Sequence, residues 1–400
     1  MTRSPTQRKP MAALDLTPFP LVQMHPIANG RNEWVALGLD LRARSGNGEA
    51  LPLLFGSPDL LAAIAPLDCV LQLDGPAQLP LPLLKQLPPQ RVVLAIDAAS
   101  LAQDAAVRQL AALQEEGYRI LLDGPLPPGV VRPANLRGVA LDCGAGLPPP
   151  GQLLALFGPH LAYGLADERA MRACEKAGFG WFAGDYLRRC CPVGGANELP
   201  TRRRLLGLLA LLARDADSRE LETVLKQDAV LSWQLLKLVN SAAFAVNTQI
   251  TSFAQAIALL GRRQLQRWLQ LLLYARTDAE GPLNPLLPQA ALRAARLEVL
   301  CKMDGGERDE QDLAFMTGAF SLLDHLLGMH MAEIVGDLCL PGHVEAALLR
   351  REGLLGARLR LMEGGAAHAQ ALVAAGIDAG SWWSSQLHAY HWAIQVGRNV

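Results

Sequence analysis

The spacing of apolar residues along the chain changes near residue 200. Before that point, short apolar runs recur between loops: Leu21 to Met24, Trp34 to Leu39, Cys69 to Leu73, Val92 to Ile96, Arg119 to Leu122, Val139 to Leu141, Leu161 to Tyr163 and Gly180 to Phe182. Runs of this length bounded by turn residues predict buried strands. Helical patterns between several of them, such as Gln103 to Glu116 and Asp167 to Ala177, predict parallel βα units. Eight such units close into a barrel, although fewer than 200 residues is small for one and implies trimmed loops or lost helices. An open doubly wound sheet is the alternative.

After residue 200 the pattern is helical. Asp228 is placed to cap a helix with Leu231, Leu235, Leu238 and Val239 on one face, and Ser252 with Gln255 forms a capping box for the next. Gly261 suits the left-handed turn that ends that helix. Leu265, Trp268, Leu269 and Leu272 repeat the helical period, as do Phe315, Phe320, Leu323 and Leu327, so five or more helices are expected. Proline marks the same division: 23 of 27 precede residue 201. The boundary is placed between Val193 and Pro200, giving an α/β domain over 1–195 and an all-α domain over 196–400.

Composition narrows the function classes. With 37 basic and 38 acidic residues the net charge is -1, so no bulk attraction to nucleic acid or an anionic membrane is expected. The longest strongly apolar run, Leu205 to Ala213, is too short to cross a bilayer, and prolines interrupt every candidate leader near the N-terminus. Seven cysteines without a Cys-x-x-Cys pattern predict reduced, mostly buried thiols in a cytoplasm; the adjacent Cys190 and Cys191 would make a strained bridge. Arg202 to Arg204 and Arg262, Arg263 and Arg267 form basic clusters, read as solvated faces or a surface for an acidic protein partner.

Two segments carry a specific resemblance. Asp228 to Gly261, including Ser-Trp-Gln-Leu-Leu-Lys-Leu-Val-Asn-Ser-Ala-Ala-Phe, and Asp312 to Met329, followed by Glu345 to Gly356, resemble HDOD sequences over about residues 200 to 365. That family resembles the HD-type phosphohydrolases in fold and lacks their metal ligands. In the active enzymes an adjacent His-Asp pair follows the glycine matched here by Gly318; this chain has Ser321 and Leu322, and leucine offers a metal nothing. Asp324, His325 and His330 do not share a helix face, and His388 and His391, beside Trp382, Trp383 and Trp392, read as packing residues of an aromatic C-terminal helix.

The first half resembles, more weakly, the EAL-type cyclic di-GMP phosphodiesterases from about Leu21 to Pro192, through Gly117-Tyr-Arg-Ile-Leu-Leu-Asp-Gly124 and Ala170 to Tyr186. Hydrolysis there uses two divalent cations on clustered carboxylates and an Asn. The resemblance places Gly38 at the signature Glu, Gln72 at the Asn, Ala95 at the next Glu, Asp123-Gly124 at the Asp pair, Ala140 at the Lys and Ala183 at the closing Gln; the late Glu is replaced near Tyr163 to Ala166. Asp40, Asp74, Asp97, Asp123 and Asp142 remain, expected to cap helices or bind loop backbone at strand ends.

The combined expectation is a degenerate EAL-like (βα)8 barrel followed by an HDOD helical domain, a cytoplasmic signalling protein that acts by protein contact or self-association, without catalysis, metal or cofactor. Its contact surface is placed at Asn240, Ser241, Phe244, Arg262 and Arg263. The rival expectations are a cyclic di-GMP receptor without hydrolysis, for which the late aromatics Tyr163, Trp181, Phe182 and Tyr186 are the available stacking groups, and a residual metal-dependent phosphodiesterase.

Overall fold

Eight strands close into a barrel in sequence order: β1 Met24–Ala28, β2 Trp34–Asp40, β3 Asp68–Leu73, β4 Val92–Asp97, β5 Arg119–Asp123, β6 Gly138–Asp142, β7 Leu161–Tyr163 and β8 Trp181–Phe182. The computed structural model describes residues 22–42, 54–79, 87–147, 157–188, 253–274 and 282–399, apart from scattered positions within them, and a few positions between 207 and 224. The expected boundary at 193–200 and the expected helix after Asp228 lie outside the described residues.

Strands β2 to β8 are parallel, as the βα pattern predicts, and the closed order excludes the open sheet. The first strand corrects the expectation twice. It spans Met24–Ala28 where Leu21 to Met24 was expected, and it runs antiparallel to both β2 and β8, closing the barrel through Ala28 and Phe182. Only residues 29–33 join β1 to β2. A parallel crossover needs a dozen residues or more, so this link can only be a hairpin. Asn29 shapes it, its side chain accepting the backbone N–H groups of Arg31 and Glu33 at 2.9 and 3.0 Å.

The outer layer is thin. Helices α1 Asp59–Ala63, α2 Asp104–Glu115 and α3 Glu168–Lys176 flank the barrel, while residues 124–137 link β5 to β6 with no helix among those described. Helix α2 buries Ala106, Leu110 and Leu113 along one face, and Asp167 caps α3 by accepting the Ala170 N–H at 2.8 Å. Inside the barrel, Ile27, Ala36, Val70, Val93, Ala95, Leu121, Ala140, Leu161 and Ala183 form a separate apolar core.

The second half is helical: α4 Phe253–Leu272, α5 Leu286–Met303, α6 Arg308–Phe320, α7 Leu323–Leu327, α8 Met331–Leu338, α9 Gly342–Arg350, α10 Gly353–Glu363, α11 Ala369–Ala374 and α12 Ala379–Asn399. Gly261 breaks α4 with φ 72 and ψ 160, a conformation suited to glycine, and Leu265, Trp268, Leu269 and Leu272 beyond it are buried. Helix α6 opens on a capping box between Glu307 and Glu310. Phe315, Phe320 and Leu323 enter the core and Leu327 is half-buried, with a break between α6 and α7.

Helix α12 joins the two halves. Its Trp383, Tyr390 and Ile394 pack into the core that surrounds the barrel, while Ala393 and Val396 pack into the core of the helical half. The Tyr390 hydroxyl donates to the Met24 carbonyl at 2.8 Å, and the His391 ring contacts the Ala63 carbonyl through Nδ1 at 3.1 Å. A second tie runs through the segment before α5, where the Leu283 N–H donates to the Arg31 carbonyl and Asn32 Nδ2 donates to the Leu283 carbonyl. Cys69, Cys143 and Cys174 are buried free thiols and Cys301 is a half-buried one; Cys190 and Cys191 lie outside the described residues. No described helix is long and apolar enough to cross a membrane.

Candidate functional site

Strand pairing aligns the inward-facing residues of successive strands. Pairings of Gln72 with Ala95, of Ala95 with Leu121, and of Asp123 with Ala140 set Gly38, Gln72, Ala95, Asp123, Ala140 and Ala183 on the inner parity of the barrel. These are the positions at which the sequence register places a metal-binding and catalytic set. Of the six, only Asp123 is a carboxylate, and alanine and glycine supply no donor atom.

Asp123 is itself engaged. It is 3% exposed, and its two oxygens accept from Arg42 at 2.8 Å and from the Tyr163 hydroxyl at 2.7 Å. Arg42 also donates to both carboxylate oxygens of Asp40, at 3.0 and 3.1 Å, and its guanidinium lies 5.8 Å from the centre of the Tyr163 ring. The guanidinium thus sits at the barrel mouth between the two carboxylates, where a divalent cation would need them free. Burial lifts the Asp123 carboxyl above its ordinary range against the opposing pull of the Tyr163 hydroxyl and the Arg42 charge. At Asp40 burial acts the same way, but the Arg42 hydrogen bonds win and hold the carboxyl below its usual value.

Gly38 meets a different occupant. A Cβ built there would stand 2.2 Å from Nε2 of His25 on the antiparallel β1, so the imidazole fills the space beside the position matched to the signature glutamate. Burial lowers the His25 pKa to about 4, opposed by Asp40 and aided by Arg42 and Arg188, so the ring is neutral at pH 7.

Two of the remaining strand-end aspartates bind loop backbone, as expected, and Asp74 binds a nearby side chain instead. Asp97 accepts the Ala99 N–H at 2.9 Å, Asp142 accepts the Gly144 N–H at 2.9 Å, and Asp74 accepts from Gln78 at 3.3 Å. Asp123 departs from that expectation because its partners are side chains from other strands. Among the aromatics, Phe182 and Tyr186 are buried and Tyr163 is held by Asp123 and Arg42, leaving Trp181 half-buried.

In the helical half, Ser321 is 2% exposed just after α6. Its hydroxyl donates to the Gly318 carbonyl at 2.8 Å and accepts from Arg293 on α5 at 3.0 Å. Arg293 also pairs with Glu363 at 3.0 Å, and Glu363 accepts two bonds from Arg351 at 2.8 and 2.9 Å. This approach depends on Gly318, where a Cβ would stand 2.5 Å from the backbone of Arg293 and Ala294. The place matched to the His-Asp pair therefore holds a hydroxyl under a guanidinium and the buried core residue Leu322. His325 and His330 are exposed, and no three His, Cys, Asp or Glu side chains gather as a metal site among the described residues.

The expected contact surface is placed only in part. Asn240, Ser241 and Phe244 lie outside the described residues, as does the Arg262 side chain. Arg263 is turned onto α6, where it pairs with Asp312 and donates to the Arg308 carbonyl. Arg267 pairs with Asp312 and Glu298 and lies 5.0 Å from the Phe315 ring centre. Sequence reasoning missed Arg42, His25, Arg293 and Glu363. The signal for the arginine was Arg293 and Arg296, three residues apart inside a run from Leu286 to Leu300 whose only other polar residues are Gln289 and Glu298.

Comparison with known proteins assigns a family to part of the helical half. The HDOD domain family matches residues 203–325. The cyclic di-GMP phosphodiesterase CdgJ of Vibrio cholerae is 28% identical over 204 residues, covering 51% of this chain and 47% of that protein. YuxH of Bacillus subtilis, an uncharacterized protein, is 32% identical over 127 residues, covering 31% of each chain. This chain thus spans less than half the length of either relative. Among solved structures, the PaMucR phosphodiesterase in complex with cyclic di-GMP is 15% identical, covers 44% of this chain and 93% of that one, and has a TM-score of 0.29.

Proposed function

We propose that this chain is a signal-transduction protein related to cyclic di-GMP signalling, in which a degenerate EAL-like barrel and an HDOD domain act through protein contact without hydrolysing a phosphodiester. The observation that carries the reading is Arg42 lodged between Asp40 and Asp123. A two-metal phosphodiesterase needs several anionic ligands in one place to hold its cations and activate water. Here the matched inner positions are mostly alanine or glycine, and the two nearest carboxylates are both occupied by the same guanidinium. The residues present do not fit a pair of divalent cations. Ser321 and Leu322 support the same reading for the helical half.

The test is incubation of the full chain with cyclic di-GMP and Mg²⁺ or Mn²⁺. The expected result is no product above a buffer control; hydrolysis abolished by Asp123→Asn would overturn the reading. Capture of partners and measurement of self-association, each with Phe244→Ala and Arg263→Glu, address the contact surface. Loss of a partner or of the oligomer in Phe244→Ala supports that surface. A change confined to Arg263→Glu reports its pairing with Asp312 and counts against it.

A further inference from the structure

Between the barrel and the helical half lies a chamber of about 50 Å³, lined by Arg188 beside the barrel, Gln289, Arg293 and Arg296 of α5, and Gln386 and Tyr390 of α12. It is rich in donors and poor in acceptors. Arg296 is 5% exposed; it stacks 3.3 Å from the centre of the Trp382 ring, donates to the Trp382 carbonyl at 3.0 Å, and has no carboxylate partner among the described residues. The amide nitrogens of Gln289 and Gln386, residues 7% and 3% exposed, are buried without a hydrogen-bond partner among those residues. Arg188 is half-buried and makes no ion pair among them. Two amide donors without partners, beside an arginine charge that only neutral groups contact, are costly inside a protein, so the chamber calls for an electron-rich occupant.

The chamber shares Arg188 and Arg293 with a wider cleft of about 580 Å³, lined also by Asp185, Ser321, Arg351 and Glu363. Arg351 and Arg293 share the carboxylate Glu363, and among the described residues arginines outnumber carboxylates in the lining of the two adjoining spaces. We infer that this interdomain space binds a phosphate-bearing small molecule, with the phosphate in the chamber and the remainder in the cleft. Space of about 50 Å³ exceeds what a single water needs, and planar guanidinium forks with amide donors match phosphate oxygens. Because Arg188 comes from one half and Arg296 and Gln386 from the other, the ligand would clamp the two together. The inference does not rest on the absence of hydrolysis: turnover of cyclic di-GMP would overturn the reading above and leave this one standing.

The experiment is calorimetry on the full chain with inorganic phosphate, GMP and cyclic di-GMP as probes, each against sodium chloride of matched ionic strength. Arg188→Gln and Gln386→Leu are each expected to weaken binding by roughly tenfold, the effect of one charge-assisted contact, while Arg350→Gln on the exposed face leaves it unchanged. Tighter binding of GMP or cyclic di-GMP than of phosphate identifies a phosphate ester that also fills the cleft; equal binding identifies the free anion. No binding of any probe, or binding that both variants leave intact, overturns the inference and leaves a chamber that holds water only. If Gln386→Leu does not fold, the partly exposed Arg188 decides by itself.

Discussion

Arg42 reaches from the end of β2 to Asp123 at the end of β5 and meets its carboxylate at 2.8 Å. One partner is 29% exposed and the other 3%, so the pair closes the mouth of the barrel with its charge balanced from within. Removing the cation strands a buried carboxylate that, among the described residues, keeps only the Tyr163 hydroxyl. Arg42→Met should therefore destabilise the fold by about 2 kcal/mol, less than a fully buried pair because Arg42 still touches solvent. The double variant with Asp123→Asn should lose less than the sum of the single variants, which urea unfolding midpoints will measure.

Gly38 and His25 make a steric pair. A Cβ at 38 lies 2.2 Å from the imidazole, so Gly38→Ala should destabilise by about 1–3 kcal/mol through overpacking. In a His25→Ala background the three nearest atoms are gone and most of that added cost should vanish. Melting temperatures of the four proteins decide; an unchanged penalty in the second background would mean that another neighbour sets it. The same pair means that a carboxylate introduced by Gly38→Glu would meet the imidazole of His25.

Much of this architecture is written locally. Seven of the expected strands appear with each end within one residue of its expected place, because short buried runs between turn residues carry their own boundaries. The first did not, since Pro26 breaks the apolar run at the place where the strand lies, and its direction depends on closure against Phe182, more than 150 residues away. The site divided in the same way. That Ala95, Ala140 and Ala183 supply no ligand is visible in the letters, and their inward direction follows from alternation. That Arg42 bridges two strands, or that Gly38 makes room for His25, requires knowing which strands face each other. The Ser321 to Arg293 contact spans 28 residues and depends on a close crossing at Gly318 that no periodicity announces.

Gly318 offers a direct check on that crossing. Its added Cβ would meet backbone atoms of Arg293 and Ala294 at 2.5 Å, and backbone cannot turn aside as a flexible side chain can. Gly318→Ala should cost about 3 kcal/mol by forcing α5 and α6 apart. Gly336→Ala on α8, with open space around it, should be neutral or slightly stabilising. Thermal unfolding of the two variants side by side tests the contrast.

Tyr390 ties the last helix to the first strand through the Met24 carbonyl at 2.8 Å, from a position 3% exposed. Tyr390→Phe keeps the ring contact with Trp34 at 5.8 Å and removes only the hydrogen bond. The expected loss is about 1 kcal/mol, with the carbonyl of Met24 left short of a partner. Hydrogen exchange should quicken in peptides covering β1 more than in those covering β5, whose partners are untouched. Equal change in both would point to a global effect.

His25 should give the fold a pH dependence of its own. Burial lowers its pKa from 6.5 to about 4, so between those values the unfolded chain binds a proton that the folded chain refuses. The unfolded state is then stabilised as pH falls: the contribution of His25 to the fold is complete above about 6.5 and declines until pH reaches about 4, a loss on the order of 3 kcal/mol. Asp40, held below its ordinary pKa, adds a loss only at lower pH, while Asp123, held above its own, acts in the opposite sense by taking up a proton more readily when folded. The readout that isolates His25 is therefore the difference in unfolding free energy between pH 7 and pH 4.5, compared in the wild type and in His25→Gln. A shallower slope in the variant is expected, and parallel slopes would show that the imidazole titrates normally in the folded barrel.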